Sequence, residues 1–130
     1  MPTITLQRRI RWADADAAGI LYYARMFDYF QEGEAELLRS VGYEHRPELG
    51  LGMPRRHVEA TFHLVLPLDA SFWLRASVAK LGTTSIRYLY EIFADAACQQ
   101  LALEGIVTIV FTKDNKPCPI PADLRAKLSE

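Results

Sequence analysis

The residues best suited to chemistry lie in one stretch, Trp12-Ala-Asp-Ala-Asp-Ala-Ala-Gly-Ile-Leu-Tyr-Tyr23. Asp14 and Asp16 stand two positions apart among small residues, and the chain turns apolar just after them. A carboxylate can take a proton from water or attack an electrophilic carbon directly. Acidic residues also favour helix N-termini and turns, so the pair alone does not separate support from catalysis. Two features favour catalysis. Neither Asp takes the cap position of a helix beginning near Ala24, and the flanking Trp12 and Ile20-Leu21-Tyr22-Tyr23 are expected to be partly buried. Acids beside apolar groups at a loop–helix junction mark a candidate active site.

The surrounding pattern says what must position this loop. Thr3 to Arg11 alternates apolar and polar residues, which predicts a strand. Trp12 to Tyr23 reads as loop, with Gly19 at its turn. Ala24 to Val41 predicts the principal helix: Phe27, Phe30, Leu37, Leu38 and Val41 recur at helical spacing, and Gly42 ends it. The Glu32-Gly-Glu34-Ala-Glu36 run reads as its solvated face; Tyr22, Tyr23 and Phe27 are candidates to line a pocket, against a core reading that helical spacing favours for Phe27. Tyr43 to Gly52 is a connection with room for a helical turn. Four further strands are predicted: Arg56 to Leu66, ended by Pro67, then Phe72 to Leu81, Ser85 to Ala94 and Gln99 to Thr112. A short helix is expected from Ala122 to Leu128. One helix followed by consecutive strands argues an α+β domain, residues 1–130 as one unit, with an antiparallel five-stranded sheet curled around the helix. A single helix covers such a sheet poorly, so self-association is expected.

Composition narrows the function classes. Half the residues are apolar and 24% are charged, enough for a packed core. The formal net charge is −1, and no basic run or zinc-ligand spacing points to nucleic acid. No segment reads as a signal peptide or membrane span, which makes a soluble, cytoplasmic protein the expectation. Cys98 and Cys118 form no CxxC pair and are expected as free thiols. The three histidines show no metal-ligand spacing. His45, His57 and His63 read as surface side chains.

The loop resembles the signature of the 4-hydroxybenzoyl-CoA thioesterase family: aromatic, acid, Asp, Gly, two apolar residues, then Tyr and Tyr or His. Trp12, Asp14, Asp16, Gly19, Ile20, Leu21, Tyr22 and Tyr23 match it. The following helix, the strand start at Pro54 and the turn Lys80-Leu-Gly-Thr-Thr-Ser85 fall where that family has similar features, so the resemblance runs from Thr3 to about Phe111. The chain departs from the pattern at Arg25, where Asn or Ser is common. It departs again at Leu68-Asp69-Ala70-Ser71-Phe72, where many members have a tyrosine and paired acids. Both departures bear on acyl specificity.

The resemblance implies the hot-dog fold and hydrolysis of an acyl-CoA thioester to free acid and CoA. It implies Asp16 as general base or nucleophile. It further implies the backbone N–H of Tyr23 as the group that polarises the thioester carbonyl, with Gly19 shaping the loop. Such a reaction builds charge on the carbonyl oxygen, which the free N–H groups of a helix start can stabilise. The same resemblance places CoA contacts at Lys80, Thr84 and Ser85. Arg55, in the basic cluster Arg55-Arg56-His57, is a further candidate for the phosphates, and Tyr22 for the acyl pocket. It implies no cofactor beyond the CoA carried by the substrate, no metal, and a homodimer or homotetramer. Two alternatives keep the fold: a thioesterase acting on acyl carrier protein, and an acyl-thioester-binding protein without turnover.

Overall fold

A computed structural model describes all residues, 1–130. The chain begins with β1 (Thr3–Arg9) and a loop holding two 3₁₀ turns, Trp12–Asp14 and Tyr23–Arg25, before α1 (Met26–Ser40). A 3₁₀ turn, Pro47–Leu49, precedes β2 (Leu51–Gly52) and β3 (Arg55–Phe62). Then come β4 (Ser71–Leu81), β5 (Ser85–Phe93), β6 (Leu101–Val110), β7 (Thr112–Lys113), β8 (Lys116–Pro117) and α2 (Ala122–Leu128). The expected helix and the four longer strands appear with ends shifted by a few residues. The small sheet β2-β7-β8 was not foreseen, because two-residue strands carry no periodicity.

The main sheet is antiparallel in the order β1-β4-β5-β6-β3. Alternation sets its two faces. Phe72, Leu74, Ala76 and Val78 of β4, and Ile86, Tyr88, Tyr90 and Ile92 of β5, point inward and are buried. Against them α1 lays Met26, Tyr29, Phe30, Gly33 and Leu37, spaced three and four apart. Each fully buried side chain of this size stabilises by about 2 kcal/mol relative to exposure. The helix can come this close because Gly33 has no side chain: a Cβ there would meet Leu74 at 3.1 Å, Tyr90 at 3.2 Å and Ala76 at 3.3 Å. Phe30 stacks on Tyr90 at 4.6 Å between ring centroids and covers Gly105 of β6.

The helix lies mainly against β1, β4 and β5. The far edge strand, β3, is exposed at every residue but Ala60. On its inner side Val58 and Phe62 remain 46% exposed each, and Phe27 of α1, expected in the core, is 37% exposed beside them. The solvated face expected for Glu32 to Glu36 is also wrong in part. Glu34 is 6% exposed, because it lies on the flank of α1 that turns toward β3, where Arg55 pairs with it. β3 is shorter than expected. The N–H groups of His63 and Leu64 both donate to the carbonyl of Ala102, so the chain leaves the ladder there, and Leu64 to Leu66 run on outside the sheet. Cys98 and Cys118 are unpaired, and no helix is long and apolar enough to cross a membrane.

Candidate active site

The loop before α1 is a closed hydrogen-bonded unit. The N–H of Asp16 donates to the Ile20 carbonyl at 2.8 Å, and that of Gly19 to the Asp16 carbonyl at 3.0 Å. Gly19 has φ +77°, a left-handed conformation that side chains resist. The Leu21 N–H donates to Leu66 and the Leu68 N–H to Gly19, which ties the loop to the segment after β3. So the residues that leave β3 early become the far wall of the loop.

The two carboxylates have opposite surroundings. Asp14 is 1% exposed. Its Oδ2 accepts from Arg11 Nε at 2.8 Å and from the Tyr29 hydroxyl, and its backbone carbonyl accepts from the Tyr22 N–H at 2.8 Å. Burial pushes this carboxyl up, but the hydrogen bonds from Arg11 and Tyr29 outweigh it and hold Asp14 below the usual carboxylate range. Burial and the bond to Asp14 push the Tyr29 hydroxyl up to about 12. This network locks the loop onto the first turn of α1. Neither Arg11 nor Tyr29 stood out in the sequence, although Arg11 lies three residues before Asp14.

Asp16 is exposed. Its Oδ1 accepts from the Ala18 N–H at 2.8 Å and the Ile20 N–H at 3.4 Å, which leaves Oδ2 without a protein partner. It borders a groove of about 330 Å³ together with Tyr23, and the remaining walls are mostly apolar: Ile20, Phe62, Leu64 and Val65 among them. None of the turn and loop hydrogen bonds is donated by the N–H of Tyr23 or Ala24. Both open the 3₁₀ turn that leads into α1, where N–H groups lack helical partners. Asp16, with its free carboxylate oxygen, and Tyr23, with its unpartnered N–H, thus border one groove whose wall is mostly apolar. His63, expected only on the surface, also borders it. Tyr22 does not; it is 42% exposed, with its ring 5.0 Å from that of Tyr23.

The remaining candidates divide between two places. Lys80 and Ser85 line a groove of about 510 Å³ on the outer face of the sheet, with Arg56, His57, Glu59 and Arg87. Arg56, Lys80 and Arg87 form no ion pair; His57 lies 3.3 Å from Glu59. Thr84 lies at the same β4–β5 turn, where its carbonyl accepts from the Phe111 N–H. Arg55 lies elsewhere. Its Nη2 donates to Glu34 Oε1 at 2.8 Å, and it lines a pocket of about 190 Å³ between α1 and β3 with Phe27, Gln31, Val58, Tyr90 and Val107. A β-bulge explains the split: the register shifts between Arg55 and His57, so Arg56 joins His57 and Glu59 on the outer side while Arg55 stays with Val58 on the inner one. The sequence marked the basic cluster but could not say which arginine joins Lys80, and it gave no sign of Arg87.

Comparison with known proteins bears on the family and the fold. The family model that describes the thioesterase-like superfamily matches residues 10–128. The 1,4-dihydroxy-2-naphthoyl-CoA hydrolase of Thermosynechococcus vestitus is 26% identical over 145 aligned positions, covering 99% of this chain and 93% of that protein. The crystal structure of a 1,4-dihydroxy-2-naphthoyl-CoA thioesterase from Synechocystis superposes with a TM-score of 0.90 at 19% identity, covering 99% of this chain and 97% of that one. A 4-hydroxybenzoyl-CoA thioesterase mutant, solved with 4-hydroxybenzoyl-CoA, superposes with a TM-score of 0.86 at 18% identity, covering 97% and 98%. At these identities the superpositions bear on the fold: the curved sheet around one long helix is the hot-dog fold.

Proposed function

This chain belongs to the thioesterase-like superfamily, and on that footing we propose that it is an acyl-CoA thioesterase that uses Asp16 as general base or nucleophile. The observation that carries this reading is that Asp16 and Tyr23, the first with an unpartnered carboxylate oxygen and the second with an unpartnered N–H, line one apolar-walled groove at the start of α1. With the thioester carbonyl oxygen at the N–H groups of Tyr23 and Ala24, charge that develops during attack meets fixed donors at the positive end of α1. The unpartnered Oδ2 of Asp16 then either takes a proton from a water that adds to the carbonyl carbon, or adds to that carbon itself. In both routes the carbon–sulfur bond breaks and CoA leaves as the thiolate and is protonated; in the second, water then cleaves the acyl–Asp16 anhydride, releasing the free acid and restoring the carboxylate. Gly19 holds the loop in shape, and Asp14 fixes it to α1. A thiol-release assay with a panel of acyl-CoAs tests this directly. Binding without release of thiol would turn the reading into that of a binding protein.

The outer groove suits the phosphates of CoA, because three cations without acidic partners gather there. Arg56 lies six residues along β3 from Phe62, which is about 20 Å in an extended strand. Antiparallel pairing of two β3 edges would bring the basic end of one copy beside the Asp16 end of the other. A homodimer therefore supplies both the cover that β3 lacks and a complete substrate site. Size exclusion with light scattering at micromolar concentration should report a dimer or tetramer. A clean monomer that still turns over substrate would remove this proposal.

Lys80→Ala, Arg56→Ala and Arg87→Ala should each raise KM more than they lower kcat, since they remove binding far from the reacting carbon. The effect should shrink with added salt. An unchanged KM for every single and paired substitution at these three positions would take the outer groove out of the site.

A further inference from the structure

Tyr23, Phe27, Gln31 and Glu34 follow one another at intervals of four, four and three, so they form one stripe along the start of α1 and its first turns. This stripe faces β3. Opposite it stand Phe62 and Val58, the half-exposed inner residues of that strand. The groove at Asp16 and Tyr23 and the pocket at Phe27 and Val58 share no lining residue, but the helix stripe and β3 set them in succession, as a mostly apolar trough of two hollows between α1 and β3. From Tyr23 to Gln31 it runs about 12 Å along the helix.

The trough stops at a charged pair. Arg55 Nη2 lies 2.8 Å from Glu34 Oε1, and beyond the pair lies a second hollow of about 480 Å³, lined by Glu34, Leu38, Tyr43 and Met53. Gln31 borders both spaces. Stability does not explain this pair well. Glu34 is buried although the Arg55 side chain is 35% exposed, and a pair that desolvates a carboxylate gains little over apolar residues of the same size. Glu34 Oε2 and the nearby Tyr88 hydroxyl are both buried without a hydrogen-bond partner, a state that native cores rarely keep without use. Burial pushes the Glu34 carboxyl up despite Arg55.

We infer that the trough receives the acyl group and that the Arg55–Glu34 pair is its end wall, setting the longest acyl group the protein accepts. This rests on the thioesterase reading above. A tail that outgrows the trough must either break the ion pair or strip water from it, and both are unfavourable. An acyl group that ends short of the pair meets mostly apolar side chains, among them Phe27, Val58, Phe62, Val107 and the Tyr90 ring.

The test is kcat/KM across two series of increasing length, linear alkanoyl-CoAs and 4-alkylbenzoyl-CoAs. The native protein should show a steep fall beyond a definite length. The double variant Glu34→Ala/Arg55→Ala removes both charges together and joins the trough to the hollow behind it. Its ratio of long-chain to short-chain kcat/KM should rise by roughly 10-fold or more, chiefly through KM. Glu34→Gln removes the ion pair but keeps the side chain in the way, so it should move the cut-off less than the double variant does. Val58→Phe, on the exposed strand, narrows the trough and should move the cut-off to shorter groups, which keeps the test open if the double variant does not fold. An unmoved cut-off in a folded double variant, or in Val58→Phe, overturns the end wall alone. No hydrolysis of either series by the native protein overturns the thioesterase reading and the end wall with it.

Discussion

Asp16→Asn should lower kcat on a good acyl-CoA by roughly 10²–10⁴-fold, the usual worth of a positioned acid–base group, and by more if Asp16 is the nucleophile. The substitution keeps the side-chain shape, and the amide oxygen can still accept from the Ala18 and Ile20 N–H groups that Oδ1 now serves. The fold should therefore survive, and circular dichroism with thermal melting checks that it does. KM should move little, because the lost group acts on the reacting atoms rather than on CoA. Asp14→Asn, measured beside it, should reduce kcat less. If Asp14→Asn abolishes turnover while Asp16→Asn leaves kcat near normal, the two carboxylates have exchanged roles. If both variants keep a normal kcat, the mechanism is wrong.

Asp14→Asn should show its main effect in stability, with a loss of about 2 kcal/mol at neutral pH, the scale of hydrogen bonds made to a charged group. Asp14 is 1% exposed and accepts from both Arg11 and Tyr29, whereas Arg11 is 65% exposed and can return to water. The loss should depend on pH in a defined direction. Hydrogen bonds hold the folded carboxyl below its ordinary value of 3.8, so the folded state binds fewer protons than the unfolded one between the two values. The stabilisation is complete above pH 3.8 and disappears as pH falls through the lower, folded value. Urea unfolding of native protein and Asp14→Asn should give a constant gap from neutral pH to the unfolded value and a closing gap below it. A gap that persists unchanged into strong acid would show that Asp14 contributes through packing and not through its charge.

Asp14 and Asp16 also show how far residue type and spacing reach. The loop, the helix after it, the order of strands and the hot-dog family followed from local signals: alternation in the strands, helical spacing from Phe27 to Val41, and a compact motif from Trp12 to Tyr23. The motif also distinguishes the two acids by position. It does not give their environments. That Asp14 is buried depends on Tyr29, fifteen residues on, and on Arg11.

Wherever the outcome depended on what lies opposite, the sequence was silent or misleading. The glutamate run on α1 has the pattern of a solvated face, and Glu32 and Glu36 are indeed partly exposed, but Glu34 turns toward β3 and meets Arg55. Phe27 has core spacing yet stays half-exposed, because α1 lies over β1, β4 and β5 and leaves the β3 side uncovered. Arg56 joins Lys80 and Arg87 while Arg55 does not, because a β-bulge between Arg55 and His57 breaks the alternation that would have put Arg55 on that face. Local propensity and the catalytic motif are properties of neighbouring residues and can be read along the chain. The trough, its charged end and the outer basic groove are made by strands and a helix far apart in sequence, and only the packing of α1 across part of the sheet decided them.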